Sequence, residues 1–331
     1  MLEHCYALTG VGLRAVAERA VCVVGTGLIG GSLLRAAEKA GREVWGTSAS
    51  EPTAAAARAD GFAVTTDLDA ALHRAAAADA LVVLAVPLPA VPDVLRRIDA
   101  VAPVIRLTDA VSVKVAVAGA VARHAPRARY VGGHPMAGTA ESGWAAGNAS
   151  LFNGAAWVVA ADDGLDLEVW ADVAELAWAC GAHVVPAAAD EHDLAVARIS
   201  HLPHLLAAVL AAVGAGRPGG DLPLALAASS FADGTRVAGT RPELVLAMCE
   251  GNRDALLAAV DDALGRLGAM RGSLASTGGL AATVQAGFAA RQRWAAARRP
   301  SATRVRLDRP GALAELRELG RRGDVVVGWA T

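Results

Sequence analysis

Lysine is almost missing from this chain. Of 331 residues only Lys39 and Lys114 are lysine, against 29 arginines. With the excess of alanine, this marks a coding bias, and each retained lysine is informative. Basic residues do not outnumber acidic ones, and the formal net charge is −2. The surplus that a phosphate-backbone binder carries is lacking, so no nucleic acid is expected as a partner. Cysteine is scarce: Cys5, Cys22, Cys180 and Cys249 show neither metal-site nor redox spacing. Reduced thiols in a cytoplasmic protein are the expectation. No basic segment leads into an apolar stretch at the N-terminus, where Glu3, Arg14, Glu18 and Arg19 intervene. That argues against a signal peptide. Residues 142–161 and 272–290 lack charge, but glycine, serine, threonine and amides fill them, so neither is expected to span a membrane.

What is present alternates. "AVCVVGTGLIGGSLLRAAEKAG" (20–41) reads as strand, glycine turn and helix. "EVWGTS" and "FAVTTD" follow as short strands. "DALVVLAVP" (79–87) is a continuous apolar run, as a strand buried on both faces requires. "PVIRLTDA" and "RYVGGHPM" (129–136) repeat the theme, and "AAWVVAAD" and "AHVVPAAAD" add two more strands. This rhythm predicts an α/β fold, a Rossmann-type doubly wound parallel sheet. Beyond about residue 187 helical patterns take over. In one of them, 252–270, Leu256, Leu257, Val260, Leu264 and Leu267 share a face. The expected organisation is a dinucleotide-binding domain (1–187), an all-helical domain (188–297) and a short tail (298–331). The leucine-rich helices suit a homodimer interface as well as an internal core.

Three strand ends carry chemistry. "GTGLIGGS" places Gly25, Gly27 and Gly30 in a G-x-G-x-x-G pattern between strand and helix, the context that gives the pattern meaning. Gly25 permits the turn, Gly27 lets a pyrophosphate approach and Gly30 lets helix and strand pack closely. Ser48 stands where an acid would bind the ribose 2′-OH of NAD, which favours NADP or use of both nucleotides. Glu51 is a further candidate for the ribose. "DAVSVK" (109–114) follows the fifth strand. Asp109, Ser112 and Lys114 either face the ligand crevice there or, for Asp109 and Ser112, cap the next helix. In "GGHPMAGTAESG" (132–143), Pro135 holds His134 extended and the glycines clear space around the imidazole. A functional histidine is the better reading of that arrangement.

In the helical part, "DEHDLAVARISHLPHLLA" carries His192, His201 and His204, with Pro203 set to kink or restart the helix. His201 and His204 are spaced for one helical face, but no acidic or thiol partner matches, so no metal is expected. "SSFADGTRVAGTRPEL" presents Asp233 and Arg236 in a glycine-containing break between helices.

Taken together and in order, "GLIGGS", "SVK", "GGHPMAGTAESG", "ISHLPHLLA" and "SFADGTRVA" resemble the prephenate and arogenate dehydrogenases of tyrosine biosynthesis, over roughly residues 20–297. The resemblance implies a helical dimerisation domain and the NAD(P)-dependent oxidative decarboxylation of prephenate to 4-hydroxyphenylpyruvate. It implies His134 as the base that takes the hydroxyl proton and Ser112 as a residue orienting base and substrate. Arg236 would bind a substrate carboxylate, Asp233 would position Arg236 or its loop, and His204 and His192 would line the pocket. Gly25, Gly27, Leu28, Ile29, Gly30, Ser48, Val86 and Pro87 would meet the dinucleotide. Two departures stand out. Val245 replaces a tryptophan that some members carry after the substrate arginine. "TRVRLDRPGALAELRELG" resembles the opening of a regulatory ACT domain but is too short to complete one. Such a tail is expected to pack on the parent domain or a partner subunit through Val325, Val326, Val327 and Trp329. Arogenate, an amino-deoxy analogue of prephenate, or nucleotide sensing without catalysis remain the alternatives.

Overall fold

Val21–Val24 (β1) is fully buried because it lies in the middle of a sheet covered on both faces. The computed structural model describes residues 19–139, 141–216, 221–276, 278–296 and 300–330. Cys5, with Glu3, Arg14 and Glu18, lies outside the described residues. From β1 the chain runs through α1 (Leu28–Lys39), β2 (Val44–Thr47), α2 (Glu51–Ala59), β3 (Val64–Thr65) and α3 (Leu68–Ala77). It continues through β4 (Leu81–Leu84), α4 (Val91–Val101), β5 (Arg106–Asp109), α5 (Val115–His124) and β6 (Arg129–Tyr130). These strands form one sheet in the order β3-β2-β1-β4-β5-β6, with every pairing parallel. That is the Rossmann order, whose strand reversal opens a crevice at the carboxyl ends. Local signals start the helices. Ser50 accepts from the Thr53 N–H to begin α2, and Asp67 accepts from the Ala70 N–H to begin α3. Neither Asp109 nor Ser112 caps α5, which begins at Val115 without a side-chain cap.

The expected strand 129–136 is two strands. After β6 the chain crosses at Val131 and Gly132 into a second sheet, entered at β7 (Gly133–Pro135). The two remaining expected strands, β8 (Ala156–Ala160) and β9 (His183–Ala187), with α6 (Leu167–Ala179) between them, also belong to this second sheet. So does the tail, as β10 (Ala302–Val305), α14 (Ala312–Arg321) and β11 (Val325–Trp329), giving the order β10-β11-β9-β8-β7. Pairings β7–β8 and β9–β11 are antiparallel, and β8–β9 and β10–β11 are parallel.

The tail therefore completes a sheet instead of making a module of its own. Val305, Leu316 and Val326 join a core with Trp157, Trp170 and Val184. Trp329 donates from Nε1 to Glu175 and Trp178 donates to the Val326 carbonyl, each at 2.9 Å. Val327 does not join this anchoring face. It is exposed because the ladder to β10 skips it, pairing Val326 with Thr303 and Gly328 with Arg304, so that Val327 bulges outward.

Two compact units result. One holds the chain up to His192 and from Ala302 onward, and the other holds Asp193–Ser301. The second unit is helical, with α8 (Leu202–Gly214), α9 (Leu222–Ala225), α10 (Ser229–Thr235), α11 (Pro242–Gly251), α12 (Arg253–Ala275) and α13 (Ala281–Ala296). The boundary falls in α7 (Ala189–Val196), which continues into a widened π turn at Ala197–His201 before α8. Pro203 accounts for the widening. It has no N–H for the Ile199 carbonyl, so the regular ladder cannot pass through it. The run Ala189–Gly214 is long and apolar enough to cross a membrane by length and composition. On α12 the expected apolar stripe is only partly covered: Leu256 is buried, while Leu257, Leu264 and Leu267 are exposed.

Candidate active site

The glycine loop is built as its spacing requires. Gly25 has φ +98°, and a Cβ there would lie 2.7 Å from the Ala85 carbonyl oxygen. A Cβ on Gly30 would come within 1.9 Å of the Gly25 carbonyl oxygen, so only glycine lets α1 sit this close. Gly27, the residue before α1, faces open space. The first N–H groups of α1, at Leu28, Ile29 and Gly30, have no carbonyl one turn back. Open backbone and orphan donors at a helix start form a seat for a phosphate. Val86 and Pro87 follow β4 at the same edge, with Val86 packed against Gly25. At the end of β2, buried Ser48 accepts from the Ser50 N–H at 3.2 Å, which leaves its hydroxyl proton to donate. The nearest acid in sequence, Glu51, is paired with Arg58.

His134 lies in β7, immediately after the crossing between sheets. Gly133 is wedged there. A Cβ on it would stand 2.7 Å from the Asp109 carbonyl oxygen and 3.2 Å from Trp157 Nε1. His134 pairs with Val158 of β8, and Pro135 with Trp157, so the imidazole is carried by a sheet and not by a loose loop. Its Nδ1 lies 2.8 Å from Nε2 of His192, and the rings meet edge to face at 5.1 Å. His192 is buried. Ser112 is partly exposed on the segment between β5 and α5; the partner that the structure gives Nδ1 is His192, not Ser112. The segment beyond His134 returns over α1. Trp144 lies over Gly31, where a Cβ would be 3.0 Å from its ring, and the Arg35 guanidinium stacks on it at 3.6 Å. The Asn148 N–H donates to Ser32. This docking gives the second half of "GLIGGS" a task that its sequence did not disclose.

Asp109 and Lys114 do not face the crevice. Their side chains are 0% and 1% exposed, and they form an ion pair inside the protein. Asp109 also accepts from the Val111 N–H at 2.8 Å and from the Tyr130 hydroxyl at 2.6 Å. Charge at a strand end is expected to point at ligand, but here the neighbouring crossover supplies partners that hold it inward.

In the second unit, His204 and Arg236 come together. Nδ1 of His204 lies 3.1 Å from the Val237 carbonyl, so Nδ1 carries the hydrogen. Burial, reinforced by the charge of Arg236, holds the His204 imidazole below its ordinary value despite that bond. Arg236 is exposed, at the start of the short turn Arg236–Gly239. Asp233 is exposed too and forms no ion pair with Arg236 among the described residues; the turn is held instead by Thr235, which donates to the Phe231 carbonyl at 2.7 Å. His201 does not share the face of His204. It is buried in the π turn, 3.1 Å from Asn252 Nδ2, which also donates to the Asp193 carbonyl. Val245 packs partly buried against the small core around Leu256.

Comparison with known proteins follows this division. Residues 32–186 match the prephenate dehydrogenase nucleotide-binding domain, and residues 188–279 match the prephenate dehydrogenase dimerization domain. The chain belongs to the prephenate dehydrogenase family. A candidate prephenate dehydrogenase of Corynebacterium glutamicum is 44% identical, with a TM-score of 0.89 over 94% of this chain and 99% of that one. An arogenate dehydrogenase of Synechocystis is 29% identical, with a TM-score of 0.69 over 83% of this chain and 99% of its own. Prephenate dehydrogenase of Bacillus subtilis is 34% identical over 139 residues, which span 41% of this chain and 37% of that relative.

Within this family member, sequence reasoning missed Tyr130 near the candidate base and expected Lys114 to face the crevice. Tyr130 and the inward pairing of Lys114 leave no local pattern, since both depend on where β6 hands over to β7. The scarcity of lysine was the one available signal for Lys114.

Proposed function

We propose that this protein is a prephenate dehydrogenase, catalysing the NAD(P)-dependent oxidative decarboxylation of prephenate to 4-hydroxyphenylpyruvate in tyrosine biosynthesis. The observation that carries the reading is His134, held by His192 on β7 in the same unit as an open glycine loop. Bound nucleotide supplies the hydride acceptor, and the loop residues Gly25, Gly27, Leu28, Ile29 and Gly30, with Ser48, Val86 and Pro87, fit its backbone. His134 takes the proton of the substrate hydroxyl at Nε2. For that, Nδ1 carries a hydrogen and donates it to His192 Nε2, whose own hydrogen then sits on Nδ1. His134 takes the hydroxyl proton as hydride leaves C4; as CO₂ departs, the electrons of its bond to the ring flow to the C4 oxygen, and the proton returns from His134 to that oxygen to give the phenol. Ser112 orients base and substrate, and Arg236 takes a carboxylate through its planar fork, with His204 beside it. Among the described residues no free acid stands at the end of β2, which supports NADP, or both nucleotides.

A homodimer and a cytoplasmic location complete the proposal. The dimerization-domain match supports the first, as do exposed apolar side chains such as Leu210, Val213, Leu264 and Phe288. On this reading the exposed side of Ala189–Gly214 meets protein and not lipid. Free, buried Cys22, Cys180 and Cys249 support the second. Arogenate is the second reading, favoured by the likeness to an arogenate dehydrogenase. Both substrates present a carboxylate to Arg236. The test is absorbance at 340 nm with prephenate and arogenate, each with NAD⁺ and NADP⁺. Turnover of prephenate is expected; turnover of arogenate alone would overturn the first reading, and turnover of neither would overturn both.

A further inference from the structure

Gly133, the residue before His134, is gripped at both of its backbone groups by one buried ion pair. Lys114 Nζ donates to the Gly133 carbonyl at 2.6 Å, and the Gly133 N–H donates to Asp109 Oδ2 at 3.4 Å. Asp109 and Lys114 pair with each other, and Tyr130 donates its hydroxyl to the same Oδ2. Asp109 ends β5 in the first sheet, whereas Gly133 begins β7 in the second. The pair thus ties the two sheets at the residue that sets the direction of the imidazole.

We propose that Asp109 and Lys114 are positioning residues for His134: they fix both backbone groups of Gly133, and through them the aim of the base. This rests on the assignment of His134 as the base. The choice of lysine supports it. This chain uses arginine for 29 of its 31 basic residues, yet places lysine here. A compact ammonium has tetrahedral donors that reach a carboxylate and a carbonyl from one point, which a planar guanidinium does not. Space agrees, since a Cβ on Gly132 would already stand 3.2 Å from Lys114 Cδ. A merely structural pair has no need to hold both the N–H and the carbonyl of the one residue before the imidazole. It also has no need of a glycine there that nothing larger can replace.

Removing one charge alone would strand the other, so the test uses the double variant Asp109→Asn with Lys114→Met, which leaves none unpaired. Tyr130→Phe, which deletes one bond to Asp109 without changing charge, is the milder companion. Circular dichroism and nucleotide titration establish that each variant is folded. The imidazole Cε1–H resonance of His134, assigned by its absence in His134→Asn, reports the geometry without needing turnover. The expected result is a displaced resonance in both variants, smaller in Tyr130→Phe. In the double variant kcat should fall about 10- to 100-fold while KM for nucleotide stays within about twofold, as a misaimed but present base would give. A folded variant with an unmoved resonance overturns the proposal, and so does a displaced resonance with full turnover. If the double variant does not fold, Tyr130→Phe decides by the same resonance. Wild-type protein inactive on both substrates would refute the proposed reaction instead, and the resonance would still decide the positioning role.

Discussion

Nδ1 of His134 and Nε2 of His192 lie 2.8 Å apart, with the two rings edge to face. One of these nitrogens must donate and the other accept, so a hydrogen on both would break the contact. The contact thus selects a tautomer. With His134 donating from Nδ1, its Nε2 presents a lone pair, the form a proton acceptor needs.

Replacing His134 by Asn is therefore expected to leave nucleotide binding and folding intact while lowering kcat by about 10² to 10⁴, the usual worth of a positioned base. His192→Phe keeps a ring in place but loses the nitrogen. It should lower kcat less, by about 10- to 100-fold, because the base remains and only its aim and tautomer are released. Steady-state kinetics of both variants check this. A His192→Phe protein with wild-type kcat would remove His192 from the site.

The glycine loop and His134 were legible because their demands are local. A positive φ at Gly25 and an extended residue before Pro135 are written in neighbouring residues. The second sheet was not, because β9 pairs with β11 across more than a hundred residues of intervening helices. Nothing near Val325 announces that partner. The inward turn of Asp109 was hidden for the same reason, since its partner Tyr130 belongs to another strand. On α12, spacing identified the apolar face but could not say what covers it, and Leu257 and Leu264 stand exposed.

Because α14 closes the core of the first unit, Leu316 is a stability residue. It is 1% exposed, and it packs with Val305, Val326 and residues of the central body. Leu316→Ala should cost about 2–5 kcal/mol, as truncation of a buried leucine does. Denaturant or thermal unfolding measures it. Nucleotide affinity at 25 °C should be unchanged, since the glycine loop is built from β1 and α1. An unaltered unfolding midpoint would show that the tail is not part of the core.

Arg236 and His204 give a binding effect and a pH effect. Arg236→Ala should raise KM for the organic substrate about 10- to 100-fold with a smaller change in kcat, since a charge-assisted bond is worth about 1.5–3 kcal/mol. An unchanged KM would assign Arg236 to the surface. For His204 the folded-state value lies below the ordinary one, chiefly through burial. Its contribution to stability is then fully present above about 6.5, the ordinary histidine value, and is lost as pH falls through the depressed value. Wild-type protein should lose stability between neutral and mildly acid pH faster than His204→Gln. Parallel pH profiles for the two proteins would count against a depressed His204.

On the proposed reading, nucleotide choice turns on the end of β2. Ser48 is buried there and receives the Ser50 N–H, while Glu51 is engaged by Arg58. Among the described residues no free carboxylate therefore stands at the position where a ribose 2′-OH is usually bound. A serine hydroxyl can donate to a 2′-phosphate or to a 2′-OH, so NADP⁺ should be used at least as well as NAD⁺. Ser48→Asp places a charge at that point. The new carboxylate can accept both the Ser50 N–H and a ribose hydroxyl, and it repels a 2′-phosphate. At an effective dielectric near 20, two like charges about 4 Å apart are worth about 4 kcal/mol, enough for a shift of roughly tenfold or more after solvent screening. The ratio of kcat/KM for NADP⁺ over NAD⁺ should fall accordingly in Ser48→Asp, and the fall should shrink at high salt. A wild-type enzyme strictly selective for NAD⁺ would mean that the acid is supplied from elsewhere and that Ser48 has no part in the choice.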